Sequence, residues 1–317
     1  LREVLERVRE GLPCDQFTTV RRHKNGQTLY ISKRVSPIHD ASGEVVGASA
    51  IDRDISQQRA SERRRNARLA ITQQLAQGVG VEETVEKVLA LLCMGLEWDA
   101  ACFWRREDAE ETMRCAVLWQ TAARDRQVWR QATLSTEVHR GRGLAGEAWR
   151  QGRSLWGSDV GRDPGEPLSA AAREDDLHGA FVCPVSIGEK VLRVVELLSH
   201  EMQRPDDDFL EMMPTIGGQI GQFVDRREAE RRLQRSEKEL SDFFDNAAIG
   251  LHWVGPDGTI LRANQAELDL LGYERDEYIG RHIAEFHADE EVIDDLLARL
   301  AAGEQLSDYP ARLPCKD

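Results

Sequence analysis

The 317 residues are enough for about two domains of roughly 100–200 residues each, and the 41% of apolar residues is enough for packed cores. The net charge of −14 argues against a nucleic-acid-binding protein, because phosphate contacts require clustered Lys and Arg side chains. The six cysteines form no C-x-x-C pair and no stretch approaches the roughly 18 apolar residues of a membrane span, so a cytoplasmic protein without membrane contact is predicted.

Residues 1–57 predict one short helix followed by strands at 17–23, 27–38 and 45–52. The pair Asn25-Gly26 between the first two strands is a strong hairpin signal. The segment Asp54-Ile55-Ser56 follows the third strand and precedes a long polar helix over 57–78. Because an Asp or Ser side chain at this place accepts hydrogen bonds from the free backbone N–H groups of the helix, the segment predicts a cap that couples sheet to helix.

Residues 80–225 predict a second domain with its own core, which begins with an amphipathic helix at Val81. Strands are predicted at 100–105, 113–119, 180–187 and 190–199. The glycines Gly141, Gly143 and Gly146 lack the Lys-Ser/Thr of a phosphate-binding loop, so they predict a turn into a short helix. Residues 157–179, rich in Gly, Pro, Asp and Ala, predict a long loop with room for one helix.

A helix predicted over 206–225 continues to about residue 242 as a charged segment. Its apolar positions are spaced 4-3-4-3, which places a thin stripe on one face, as in a two-stranded coiled coil. The stripe consists of Ala229, Leu233, Ser236, Leu240 and Phe243. The spacing favours a homodimer, and the alternative is a solvated connecting helix that pairs with nothing.

The last 25 residues repeat the first 25 with a shift of 292 positions, so that Gly303 falls opposite Gly11 and Tyr309 opposite Phe17. Residues 244–317 are therefore expected to hold the front of a unit whose back is residues 1–57. In this last segment Asn264 is predicted to cap a helix. Short helices are expected at 275–278 and 283–286, a longer one at 289–302, and a strand from Asp308.

The two end units, residues 1–57 and 244–317, resemble PAS domains, and the middle unit, residues 80–225, resembles a GAF domain. The PAS resemblance rests on residues 246–286 and on residues 24–56, which close with the Asp-aliphatic-Ser/Thr pattern of Asp54-Ile55-Ser56. The GAF resemblance rests on GLAGEAWRQGRSLWGSDV (143–160) and GAFVCPVSIGEKVLRVVELLS (179–199). It implies an α+β chain of antiparallel sheets flanked by helices, with coiled-coil-like helices between domains.

The boundaries that this resemblance implies divide the chain into five segments. They are the C-terminal part of a PAS domain (1–57), a helical linker (58–79), a GAF domain (80–225), a signalling helix (226–243) and the N-terminal part of a second PAS domain (244–317). The order resembles the sensory half of bacterial sensor histidine kinases, including hybrid ones. It implies a homodimer that acts on a kinase core and a response regulator in a two-component phosphorelay.

Three functional alternatives stay open from the sequence. Residues 1–317 hold neither a phospho-accepting His helix nor an ATP-binding box, so no catalytic centre is expected within them. Cyclic-di-GMP enzymes and phosphatases use the same input domains, so either activity is an alternative to the protein-histidine kinase. A dimerisation scaffold that binds no ligand is the third.

No cofactor or metal is predicted, although an unknown small-molecule ligand is left open. Flavin-binding PAS domains carry a reactive Cys where this chain has Ile283, and bilin-binding GAF domains carry an anchoring Cys in the region of residues 169–173, which hold none. Covalent flavin or bilin is therefore not expected. Six of the seven tryptophans lie in the GAF-like region and favour an ordinary core. If a pocket exists there, its expected lining is Trp104, Trp119, Trp149, Trp156 and Phe181.

Overall fold

The computed structural model describes residues 2–24, 28–106, 111–188, 190–202 and 207–307, in two compact units, Leu1–Arg227 and Glu228–Asp317. The helices are α1 (Arg2–Arg9), α2 (Ser56–Gln77), α3 (Val81–Leu96), α4 (Gln127–Ser135), α5 (Gly143–Gln151), α6 (Ser169–Glu174), α7 (Asp207–Asn246), α8 (Gln265–Leu271), α9 (Arg275–Tyr278) and α10 (Glu290–Ala301). Among these helices none combines the length and the apolar run that a bilayer crossing requires.

The strands are β1 (Cys14–Arg22), β2 (Thr28–His39), β3 (Val45–Asp54), β4 (Ala100–Arg106), β5 (Thr112–Gln120), β6 (Glu137–His139), β7 (Leu155–Gly157), β8 (Gly179–Ile187), β9 (Lys190–Ser199), β10 (His252–Val254) and β11 (Ile260–Ala263). Every strand pair in the three sheets is antiparallel. The predicted α+β class, with helices flanking antiparallel sheets, is confirmed.

The first domain is a three-stranded sheet in the order β1-β2-β3, with α1 packed against it. Three residues form its small buried core: Val8, Cys14 and Val35. The strands agree with the predicted ones to within a few residues at each end. The predicted Asn25-Gly26 turn lies outside the described residues.

The repeat in sequence is also a repeat in backbone conformation where α1 and α10 end. Gly11 has φ +74° and Gly303 has φ +84°, a left-handed conformation that glycine adopts without a Cβ clash. In both places the N–H after the glycine donates to the carbonyl five residues earlier, which is the Schellman ending of a helix. The two bonds are Leu12 N to Arg7 O, 2.9 Å, and Glu304 N to Arg299 O, 3.0 Å. The strand predicted from Asp308 lies outside the described residues.

The middle domain is built on a six-stranded sheet in the order β6-β5-β4-β9-β8-β7. One face is covered by α2, α3 and α7, and the other by α4, α5 and α6. Because side chains alternate along a strand, neighbouring residues of β4 belong to different layers: Phe103 packs with the first group of helices and Trp104 with the second. The sheet is therefore buried on both faces.

The long helices α2 and α7 are part of this core. Ile71 and Leu75 of α2 are buried in the same cluster as α3 and the sheet. An ideal Cβ at Gly95 of α3 would lie 2.7 Å from the Cβ of Ala67, so α2 and α3 pack closely there. The α7 side chains that belong to this core are Phe209, Met213, Ile216, Ile220, Phe223 and Val224.

Three elements between residues 120 and 160 were not predicted: α4, β6 and β7. Helix α4 buries only Trp129 and Thr133 and leaves Val128 and Leu134 exposed, so its sequence lacks a clear apolar face. The predicted long loop over 157–179 contains α6.

In the second unit β10 and β11 form a two-stranded sheet, and a 3-10 helix (Ile283–Phe286) lies between α9 and α10. Asn264 caps α8 as predicted, since its side-chain oxygen accepts a hydrogen bond from the Glu267 backbone N–H at 3.0 Å. The core of this unit consists of Ile260, Ala263, Leu268, Leu271, Tyr278, Ile283, Phe286 and Ile293.

The first turn of α5 gives a stability prediction. An ideal Cβ at Gly146 would lie 2.1 Å from the backbone oxygen of His139, and a backbone atom yields less readily than a side chain. Gly146→Ala is therefore expected to lower the free energy of unfolding by about 2 kcal/mol, as overpacking does. The control is Gly218→Ala in α7, where no atom lies within 4 Å, and a gain of up to about 1 kcal/mol is expected from helix propensity. Urea unfolding measures the free energy of unfolding of the two variants. Equal changes in that free energy would contradict the close packing of Gly146 against His139.

Candidate functional site

The five aromatic residues proposed for a pocket do not lie together. Trp119, Trp156 and Phe181 pack on the sheet face covered by α2, α3 and α7, whereas Trp104 and Trp149 belong to the opposite layer. The backbone register explains the first group, since one row of paired residues crosses the sheet. The row is Trp119, Ala101, Leu197, Phe181 and Trp156. The sheet therefore separates the five residues into two sets.

An aromatic cluster joins that row to the start of α7. The ring centroids of Phe181 and Phe209 are 4.7 Å apart, and Trp156 lies 5.8 Å from Phe209. Trp98, which follows α3, stacks on Phe209 at 5.8 Å with an interplanar angle of 28°. These rings fill the core between the sheet and the first turn of α7, as the core interpretation of the tryptophans expects.

On the opposite face, β9 carries a buried carboxyl group at Glu196. Its side chain is only 4% exposed. The indole N–H of Trp104 donates to Oε2 at 2.7 Å, and the thiol of Cys102 donates to the same oxygen at 3.4 Å. A single Glu within the apolar run of β9 was visible in the sequence, but it was not singled out there.

Burial raises the pKa of Glu196 to about 7, and the negative charge of Glu166 adds to the rise. The hydrogen bonds from Trp104 and Cys102 act in the opposite direction, because they favour the ionised form. Burial also raises the pKa of Glu166. The Leu144 backbone N–H donates a hydrogen bond to the Glu166 carboxylate at 2.8 Å, and this bond lowers the pKa. We refer to Glu196, Trp104, Cys102 and Glu166 as the Glu196 cluster.

Buried donors of α4 lie in the same layer. Trp129 is fully buried and packs in the cluster that contains Trp104. Within the described residues its indole nitrogen and the hydroxyl of Thr133 have no hydrogen-bond partner. Arg126, at the N-cap of α4, is 1% exposed and its Nη2 lies 3.1 Å from Asp99 Oδ1. This layer thus combines a carboxyl group whose pKa is raised to about 7 with buried polar groups that have no hydrogen-bond partner within the described residues.

The described residues contain no group of three or more His, Cys, Asp or Glu side chains that could hold a metal ion. In the Glu196 cluster the carboxyl groups of Glu196 and Glu166 can exchange a proton, whereas Trp104 and Cys102 act as hydrogen-bond donors to Glu196.

The predicted cap segment joins β2 to the first turn of α2. The Asp54 carboxylate accepts a hydrogen bond from the Ser56 N–H at 2.9 Å, and the bonds with Ser56 lower the pKa of Asp54. The Ser56 hydroxyl accepts from the Tyr30 N–H at 2.8 Å, and the Ile55 N–H donates to the Tyr30 carbonyl at 2.8 Å. The residue at the helix N-cap position is Ile55, whose side chain makes no capping bond. Tyr30 is a partner that sequence reasoning missed.

All five stripe residues of α7 are exposed within the described chain: Ala229, Leu233, Ser236, Leu240 and Phe243. The exposed fractions of the three large side chains are 61% for Leu233, 67% for Leu240 and 73% for Phe243. Large apolar side chains on one helix face, seven or three residues apart, provide a surface for another helix.

The Glu196 carboxyl gives a pH prediction. Its pKa rises from 4.5 to about 7 on folding, so the folded state binds the proton more tightly. The free energy of unfolding is therefore expected to fall by roughly 3 kcal/mol as pH rises from about 4.5 to about 7, and to stay level above that. Glu196→Gln removes this dependence, and it should stabilise the protein by about 2 kcal/mol at pH 8 and very little at pH 5.

Urea unfolding of the wild type and Glu196→Gln between pH 5 and pH 8 measures this difference. Glu86→Gln on the exposed face of α3 removes the same charge and serves as control, with a stability difference that does not follow pH in this way. A difference between wild type and Glu196→Gln that stays constant with pH would show that the carboxyl is ionised in both states.

Comparison with known families identifies three successive matches. Residues 1–57 match the family described as "PAS domain", residues 78–225 match "GAF domain" and residues 244–314 match "PAS fold". No curated protein matches the sequence.

Solved structures resemble the middle of the chain. The GAF domain of nlh2 from A. aeolicus in an inactive state has 19% identity, covers 53% of this chain and 99% of its own, and has a TM-score of 0.43. Free methionine-R-sulfoxide reductase from Neisseria meningitidis, in complex with its substrate, has 16% identity to this chain. The match covers 53% of this chain and 91% of the reductase, with a TM-score of 0.44.

The GAF domain of a phosphoenolpyruvate-protein phosphotransferase from Coxiella burnetii has 15% identity to this chain. It covers 56% of this chain and 99% of its own, with a TM-score of 0.46. The three family matches show that the chain carries a PAS, a GAF and a second PAS domain in tandem, and these domains indicate a role in sensing signals.

Proposed function

We propose that this chain is the sensory and signal-relay region of a bacterial two-component sensor histidine kinase. Changes induced by a ligand or a partner pass through α2 and α7 to a kinase core outside residues 1–317. The proposal places the region in the cytoplasm, as a homodimer whose kinase core passes phosphate to a response regulator. The observation that carries it is α7, a single helix of 40 residues that begins in the GAF core and continues into the second unit.

Close packing supports the role of α7 as the outgoing element. An ideal Cβ at Gly217 would lie 3.1 Å from the carbonyl oxygen of Pro184, and one at Gly221 would lie 3.1 Å from that of Ser186. Both oxygens belong to β8, so the helix backbone lies close to the strand. A shift of β8 or β9 must therefore move α7 or open a gap, because packed interiors deform in discrete steps.

The Glu196 cluster is the proposed place where a stimulus acts on the GAF sheet. A charge that appears or is neutralised in a buried site changes the free energy of the surrounding packing more than one on the surface. A difference of a few kcal/mol between two packings is sufficient to invert their populations. The carboxyl on β9 lies beside β8, which contacts α7, so the path from input to helix is short.

The exposed stripe supports the proposed homodimer, and Leu240 tests it. Leu240→Glu places a charge in the middle of the helix pair and is expected to convert dimer to monomer at micromolar concentration, because a buried unpaired charge opposes association. Gln234→Glu adds the same charge off the stripe and should leave the dimer intact. Size-exclusion chromatography with light scattering measures the mass. A monomeric wild type, or equal behaviour of the two variants, would contradict pairing through the stripe.

Phosphorylation of the complete parent protein tests the assignment to histidine kinases. With radiolabelled ATP it is expected to acquire phosphate that is lost in acid and retained in base, as phosphohistidine is. Synthesis of cyclic di-GMP from GTP, or release of phosphate from a phosphoprotein without autophosphorylation, would instead identify one of the alternative output domains.

A further inference from the structure

We infer that Tyr30, Arg63, Arg64, Glu97 and Asp208 form a joint through which the first PAS domain positions the beginning of α7. The inference builds on the proposed relay role but is independent of the output domain. It concerns contacts within the first unit, between β2, α2, α3 and α7. It assigns signal coupling to side chains outside the Asp54-Ile55-Ser56 segment.

The first arm of the joint runs from β2 to the end of α3. The guanidinium groups of Arg59 and Arg63 lie over the Tyr30 ring, 5.1 and 5.5 Å from its centroid. Arg63 also pairs with Glu97, with 3.1 Å between Nη2 and Oε2, and the Tyr30 hydroxyl donates to Glu97 Oε1 at 3.4 Å. Tyr30 and Arg63 therefore both hold the same carboxylate of the GAF domain.

Glu97 is a position where such contacts have an effect on backbone conformation. Its φ is +60° and ψ is 43°, a left-handed conformation that is strained for a side chain other than glycine. The next residue, Trp98, is buried and stacks on Phe209 in the first turns of α7. The orientation of Glu97 therefore fixes where the Trp98 ring enters the core and where it meets α7.

The second arm connects α2 directly with α7. Arg64 Nη1 lies 3.2 Å from Asp208 Oδ2, in the first turn of α7. Since consecutive side chains on a helix point about 100° apart, Arg63 and Arg64 contact different neighbours from one place on α2. A rotation or shift of α2 changes both arms together, so the end of α3 and the start of α7 respond to the first PAS domain at once.

The partly exposed ion pairs suit a joint because each contributes little to overall stability. Asp208 is 66% exposed in its side chain and Glu97 is 54% exposed. Exposed pairs are screened by solvent and contribute weakly to folding. Here they connect α2 with the end of α3 and with the first turn of α7. Loss of the arms is expected to loosen α7 locally while the cores stay folded.

Hydrogen exchange of residues 1–317, followed by mass spectrometry, tests this inference. In Arg63→Gln/Arg64→Gln, amides of residues 94–99 and 207–213 are expected to exchange about threefold faster or more, while those of α5 are unchanged. The matched control is Arg65→Gln/Arg68→Gln, which removes the same charges from exposed positions of α2. Equal exchange of residues 207–213 in the two variants and the wild type would overturn the joint.

A charge exchange separates a specific contact from general destabilisation. Arg63→Glu should speed exchange at residues 94–99, and Arg63→Glu/Glu97→Arg should reverse part of that increase, because the swap restores the ion pair but not the contacts with Tyr30. Exchange in the double variant as fast as in Arg63→Glu, with both proteins folded, would contradict the first arm. No ATP or output domain is needed, so a negative result leaves the histidine kinase proposal intact, and a failed kinase assay leaves the joint intact.

Discussion

Burial of the GAF sheet on both faces is the constraint on which the rest of the structure depends. A sheet with two apolar faces needs two layers of cover, and on one face the cover comes from α2 and α7 together with α3. The helices that enter and leave the domain are thus constituents of its core. Ile71 on α2 and Ile220 on α7 are both fully buried, which removes them from water at a gain of about 1.5–3 kcal/mol each.

The same constraint buries the Glu196 carboxyl and raises its pKa. The carboxyl lies on one face of β9, while its neighbours Val195 and Leu197 face the helices on the other. A single strand separates the charge on one side from the core of α7 on the other. This arrangement gives a physical reason why a change in charge in the layer of α4, α5 and α6 can alter the packing of α2 and α7 on the other face. It also gives the site a polar character that the aromatic residues alone do not suggest.

Local patterns predicted much of the fold. The bounds of α9 and of the 3-10 helix agree with the prediction because each helix ends at a buried aromatic residue, Tyr278 or Phe286, next to turn residues. The glycines Gly141, Gly143 and Gly146 were predicted to form a turn into a short helix, and α5 begins there, with positive φ at Gly141 and Gly143 and a close backbone approach at Gly146. Helix α4 was missed because its burial depends on two residues only.

The site was less accessible to prediction because it depends on register and on distant contacts. Without strand pairing, the sequence does not reveal that Trp104 and Trp119 belong to opposite faces. Tyr30 and Glu97 are 67 positions apart, and no sequence pattern pairs them. Glu196 was visible as a charged residue in an apolar strand, but only the layer formed by α4, α5 and α6 shows that it is buried.

The central claim is that the GAF sheet and its linker helices form one cooperative unit, and native-state hydrogen exchange at increasing urea concentration measures this directly. Amides of α2, of β9 and of residues 209–224 in α7 are expected to lose protection at the same urea concentration, with the same dependence on urea. Loss of protection in α2 or in residues 209–224 at lower urea than in β9 would contradict the account, because the helices would then be attachments to the domain core.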